Sequence, residues 1–183
     1  MKGLIILANG FEDTEAIMTI DILRRAKLSL TVASVSDELE VKSQSGLPVK
    51  AEVALKEVND QLYDFLVIPG GRAVREVLEH NKKVLTLIDK FVLGEKLVAA
   101  ICAAPSLLGK RGHFKGQTYT CFPGFEKDIT EGKHLGKKGV VRSGKFITAR
   151  AMGYTAAFAY EIVEFLLSKE ARVKVEKNCN GEL

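Results

Sequence analysis

Tryptophan is absent from these 183 residues, histidine and cysteine occur three times each, and proline four times. The cysteines, Cys102, Cys121 and Cys179, are odd in number, lie far apart and form no C-x-x-C pair, which argues against a disulfide scaffold and for a reducing compartment, the cytoplasm. His80, His113 and His134 show no ligand spacing and none adjoins Cys102, so no metal is expected and each histidine reads as a surface or loop residue. No apolar run reaches the roughly 18 residues that span a bilayer, and the longest, near the C-terminus, is broken by Glu161 and Glu164. The opening apolar run ends at Asn9 with Glu12, Asp13 and Glu15 close behind, unlike a secretory signal. A soluble protein without a membrane partner is the expectation.

Charge of one sign is lacking too. The net charge of +4 comes from 27 basic and 23 acidic residues in mixture, which selects neither a nucleic acid nor any other partner. The lysine-rich stretch from Lys133 to Lys145 is interleaved with Gly136, Gly139 and Gly144 and reads as a solvated turn or hairpin. No G-x-G-x-x-G follows a strand and no phosphate-cradling G-x-x-x-x-G-K-[ST] appears, so no nucleotide cofactor is expected.

What is present is an alternation. The chain is 46% hydrophobic and of a length that suits one domain, residues 1–183. Short runs at Leu4 to Ala8, Leu28 to Val35, Phe65 to Ile68, Leu97 to Ile101 and Phe146 to Thr148 are apolar at nearly every position, as strands buried on both faces are. Helical spacing separates them: Ile17, Ile20, Leu23 and Ala26; Val84, Leu87, Ile88 and Phe91; Phe158, Ile162, Phe165 and Leu166. The fold class is therefore α/β, a doubly wound, mostly parallel sheet between helices, with Glu38 to Ala54 supplying a small hairpin or edge strands. Ligands bind such sheets beyond the carboxyl ends of the strands, which directs attention to the loops there.

Three loops carry candidate chemistry. In the first, the strand ending at Ile101 meets Cys102 and passes directly into a helix, with the small Ala100, Ala103 and Ala104 around the turn, as at a nucleophile elbow. The positive end of the following helix is expected to lower the thiol pKa. The second is Pro69-Gly70-Gly71, whose N–H groups are expected to serve an oxyanion, a plain tight turn being the alternative. The third runs from Asn9 to Glu15. Glu12 and Asp13 are accounted for as acids in a first helical turn, whereas Glu15 lies over the end of the first strand, where it can reach Cys102, stay protonated and move a proton. Spacing alone leaves Cys102 between a buried hydrophobe and a nucleophile.

Five stretches in order resemble the ThiJ/PfpI superfamily and, within it, the bacterial members of the DJ-one branch: Leu4 to Ala8 with Gly10 to Glu15; Asp64 to Gly71; Ala99 to Pro105; Thr120 to Pro123; and Thr148 to Arg150. The resemblance implies a flavodoxin-like fold, a homodimer, Cys102 as nucleophile, Glu15 as its protonated partner, and Gly71 and Ala103 as pocket residues beside Gly70. Members of the family are described as glutathione-independent glyoxalases, deglycases, oxidation-sensitive stress proteins with chaperone activity and, in another branch, peptidases.

Three departures refine that implication. Ala103 stands where the peptidase branch has a histidine, so the base for peptide hydrolysis is missing. Cys121 and Phe122 replace a histidine-bearing loop, which makes Cys121 a candidate second pocket cysteine. Ser43 to Gly46 offers no counterpart to an arginine found in some members. The expected function is cofactor-independent chemistry of a Cys102 thiolate on a small aldehyde such as methylglyoxal or its adducts. The alternatives are a redox-responsive protein that senses oxidation at Cys102 and a binding module without chemistry.

Overall fold

The computed structural model describes residues 1–182. Strands β1 (Lys2–Leu7) and β2 (Ser29–Ser34) flank helix α1 (Asp13–Arg25), and a hairpin of β3 (Glu40–Lys42) and β4 (Pro48–Lys50) follows. Then come β5 (Val53–Ala54), β6 (Phe65–Ile68), α2 (Ala73–Glu76), α3 (Lys82–Leu93), β7 (Leu97–Ile101) and α4 (Pro105–Gly109). The chain ends with β8 (Thr118–Tyr119), β9 (Lys133–His134), β10 (Val140–Ser143), β11 (Phe146–Ala149), α5 (Thr155–Leu166) and α6 (Lys169–Cys179).

Seven strands form the central sheet in the order β10-β11-β7-β6-β1-β2-β5. All neighbours run parallel except the β10–β11 pair. The core lies on both faces: Leu4, Ile6, Leu66, Ile68, Val98 and Ala100 join one hydrophobic cluster, while Ile5, Leu7, Phe65, Val67, Ala99 and Ile101 join the other. Period-two alternation between two buried layers is why these strands are continuously apolar. The mostly parallel, helix-flanked sheet, with the Glu38–Ala54 hairpin and edge strand, agrees with the sequence reading. Among the described residues no helix is long and apolar enough to cross a membrane.

One expectation needs correction. Helix α1 does not bury Ile17, which is 38% exposed beside Met18 at 40%. Its inner face is Glu15, Ala16, Thr19, Ile22 and Leu23, because the helix is rotated to carry the Glu15 carboxyl inward. The lysine-rich stretch holds β9 with the half-buried His134, and its hairpin reading is met where β10 turns at Gly144 into the antiparallel β11.

Strand order reverses between β1, which continues to β2 on one side, and β6, which continues to β7 on the other. A crevice forms beyond the carboxyl ends of strands at such a reversal. The loops after β1, β6 and β7 carry Glu15, Gly70 and Cys102, so the topology gathers the three candidate loops at one place.

Candidate active site

Cys102 follows the last residue of β7 with φ of +63°. Of the three non-glycine residues with positive φ among those described, Lys27 and Glu95 follow the ends of α1 and α3, where left-handed geometry is ordinary. Cys102 has no such cause, and its conformation costs about 1 to 3 kcal/mol that the surroundings must offset. They hold it at both ends: its N–H donates to the Ala149 carbonyl at 2.8 Å and its carbonyl accepts from the Phe122 N–H at 2.7 Å. The buried Ala100, Ala103 and Ala104 leave room for the turn. The elbow is real, and it presents a half-buried sulfur.

Glu15 is fully buried, and two contacts place it. The Glu12 side chain caps α1 by accepting from the Glu15 N–H at 2.6 Å. The Gly70 N–H donates to Oε2 of Glu15 at 2.8 Å. Oε1 of Glu15 has no hydrogen-bond partner although it is buried. A buried bare carboxylate oxygen is costly, and protonation turns it into a donor in need of an acceptor. Burial pushes the Glu15 pKa up to about 7, against the Gly70 N–H, which stabilises the charge, and with help from the negative Glu12.

Gly70 shows how closely the pair is set. A methyl group on its Cα would meet Oε2 of Glu15 at 2.6 Å and the Cys102 Cβ at 2.7 Å, so only glycine fits between them. Its N–H is committed to Glu15 and is not available to an oxyanion, which corrects the sequence reading. The N–H groups of Gly71 and Ala103 face the sulfur instead. Gly71, with φ of +93°, lies against backbone of the Gly10 to Glu12 loop where a side chain has no space.

The thiol itself departs from expectation. Burial first, then the neighbouring Glu15 charge and hydrogen bond, push the Cys102 pKa upward, and the Ala103 and Gly71 N–H groups only partly offset this. Helix α4, expected to lower it, has five residues and starts three positions later, too short for a strong dipole at the sulfur. A carboxyl whose pKa is pushed up to about 7 beside a thiol is of a kind that can take and return its proton.

A cavity of about 660 Å3, in the range of small-molecule sites, opens over the pair. Glu15, Gly71, Cys102 and Ala103 line it. Sequence reasoning missed Arg72 and Arg75, which follow the glycine loop, and Phe122, Phe125 and Met152, which supply apolar wall. Arg75 lies over the Phe125 ring, 4.4 Å from its centroid, and pairs with Asp128 at 3.4 Å. The available signal is that Arg72 directly follows Gly71 and Arg75 comes one helical turn later in α2. Asp13, read as a dipole acid, instead accepts from the Ser43 and Ser45 hydroxyls at 2.5 Å each and ties the β3–β4 hairpin to the rim.

Cys121 is not brought to this cavity. It is 1% exposed and belongs to the core on the other side of its loop, while its neighbour Phe122 points into the pocket. Burial, with the Glu126 charge adding, pushes its thiol up to about 12. The correction follows from alternation along an extended segment, which turns adjacent side chains to opposite sides.

The chain is similar to known proteins over most of its length. A model of the DJ-1/PfpI family matches residues 1–165. The chain is 35% identical over 175 residues to "Protein DJ-1 homolog B" of Arabidopsis thaliana, an alignment covering 95% of this chain and 40% of that protein. It is 33% identical over 167 residues to a protein of Pyrococcus abyssi named as a deglycase, covering 91% of this chain and 99% of the other. A solved structure of oxidised DJ-1 from Toxoplasma gondii superposes with a TM-score of 0.89 at 30% identity, covering 97% of each chain.

Proposed function

The chain belongs to the DJ-1/PfpI family, and from that premise we propose that it is a cofactor-independent cysteine enzyme acting on reactive aldehydes, of glutathione-independent glyoxalase or deglycase type. The observation that carries the reading is the buried Glu15, with Oε1 unpartnered, set across Gly70 from Cys102 under a cavity of small-molecule size. The deglycase name of the Pyrococcus abyssi relative supports the choice of aldehyde or glycated substrates.

With methylglyoxal the steps balance without an outside oxidant. The Cys102 sulfur bonds to the aldehyde carbon, its proton passes to the Glu15 carboxylate, and the carbonyl electron pair goes to oxygen, where the Gly71 and Ala103 N–H groups stabilise it. Glu15 returns the proton to give the hemithioacetal. It then takes the proton from the former aldehyde carbon, a proton is delivered to the neighbouring carbon, and the hydroxyl proton of the first carbon passes to the oxygen of the second. The first carbon is thereby oxidised and the second reduced, leaving a thioester. Water cleaves the thioester to lactate and the free thiol. A hemiaminal adduct enters the same route by exchange: the C–N bond breaks as the C–S bond forms, and the amine leaves with the proton of the thiol.

The proposed protein works as a homodimer, to which the exposed Ile17 and Met18 of α1 offer apolar surface, and in the cytoplasm, where Cys102 stays reduced. A second reading is oxidation sensing: a protonated Oε1 of Glu15 would donate to an oxygen on a Cys102 sulfinate, and a relative's solved structure is of the oxidised protein. Lactate formation from methylglyoxal without glutathione tests the enzyme reading. Turnover lost in Cys102→Ser is expected; no turnover, or turnover unchanged by that substitution, overturns it.

A further inference from the structure

The short parallel pair β8–β9 sets Tyr119 opposite His134 and thereby brings His134 beside Cys121, two residues beyond Tyr119. Cys121 Sγ and His134 Nε2 are 3.9 Å apart. A carboxylate oxygen of Glu126 completes a group whose three donor atoms lie within 4.8 Å of one another. The imidazole is held rigidly. It stacks on Tyr119 with centroids 5.2 Å apart at 23°, and Gly136 closes its other side, where a Cβ would meet His134 Cε1 at 2.9 Å.

These donors lack a mutual purpose as they stand. The contact between sulfur and imidazole is at the outer limit of a hydrogen bond, and Glu126 spends one oxygen on the Gly124 N–H at 2.6 Å. A thiol, an imidazole and a carboxylate converging on one point are instead the donor set of a borderline-soft divalent ion. Bond lengths of Zn–S near 2.3 Å and Zn–N near 2.0 Å put sulfur and nitrogen about 3.6 Å apart across a tetrahedral ion. The observed spacing needs a closure of a few tenths of an ångström there and a rotation of the half-exposed Glu126. Cys121 is buried while Glu126 and His134 reach the surface, so an ion has a way in.

We propose that Cys121, Glu126 and His134 form a zinc-type divalent metal site, with water in the fourth position, separate from the Cys102 cavity. On binding, the Cys121 thiol loses its proton to solvent and the thiolate becomes the sulfur ligand. The ion also anchors the 121–126 segment, whose Phe122 N–H holds the Cys102 carbonyl and whose Phe122 and Phe125 rings wall the cavity.

Cobalt(II) titration of the full chain carrying Cys102→Ser and Cys179→Ser, which leaves Cys121 as its only thiol, tests the site. The expected result is thiolate-to-cobalt charge-transfer absorption in the near ultraviolet that saturates at one ion per chain and is displaced by zinc. His134→Ala in the same background, at a half-exposed position, should weaken binding about tenfold or more. Absence of the thiolate band, or a band and affinity indifferent to His134→Ala, overturns the proposal.

Discussion

Cys102 and Cys121 lie on adjoining loops, linked by one hydrogen bond through Phe122, yet their surroundings differ in almost every respect that governs sulfur chemistry. Cys102 is half-buried, strained at φ +63°, faced by two N–H groups and set beside a carboxyl that titrates near 7. Cys121 is buried, has a stacked imidazole at 3.9 Å and does not line the cavity over Cys102. Both thiols are pushed upward by burial, so thiol pKa does not separate them. What separates them is the neighbour: a proton carrier under a cavity in one case, metal-type donors in the other.

The largest expected effect breaks the comparison outright. Cys102→Ser should abolish aldehyde turnover, while Cys121→Ser should leave it within a few fold; steady-state lactate assays on both variants decide this. Next comes Glu15→Gln, which keeps the shape and the Gly70 contact but removes the proton carrier. Turnover should fall about 100-fold to 10,000-fold, the usual contribution of general acid–base catalysis.

The same carboxyl leaves a mark on stability. Between pH 4.5 and about 7 the folded chain retains a proton on Glu15 that the unfolded chain has released. Stability therefore falls as pH rises through that window, by about 3 kcal/mol from this residue. Denaturant melts across the range should show the slope, and Glu15→Gln should flatten it; an unchanged slope would assign it elsewhere. The smallest effect is a control outside both sites. Asn81 caps α3 by accepting from the N–H groups of Lys83 and Val84, and Asn81→Ala should cost about 1 kcal/mol with turnover unaltered.

The sequence was legible where one physical cause dominated. Strands 65–68 and 97–101 appear at the expected residues because burial on both faces demands an unbroken apolar run. Strand-end loops at a topological reversal make Glu15 and Cys102 candidates, and it is the resemblance of the surrounding stretches to a known family that singles them out. The inner face of α1 was misread because polar Glu15 and Thr19 occupy buried positions that periodicity assigns to Ile17. Gly70 was assigned to an oxyanion because a glycine pair does not reveal which N–H is already committed. The resemblance marks the loop of Cys121 and Phe122 as pocket-bearing without saying which of the two side chains turns inward, and it is Phe122 that lines the cavity. The meeting of Cys121 with His134 was invisible, since strands of two residues carry no pattern and the pair is separated by a loop.

The central claim is that Cys102 and Glu15 share a proton. The direct measurement is the rate of Cys102 alkylation by iodoacetamide from pH 5 to 10, followed by intact mass, in the native chain and in Glu15→Gln. The account predicts a rise centred near pH 7 in the native chain, where the pair loses its first proton, and disappearance of that limb in the variant. A single rise near the ordinary thiol value of about 8.5 in both proteins would contradict it.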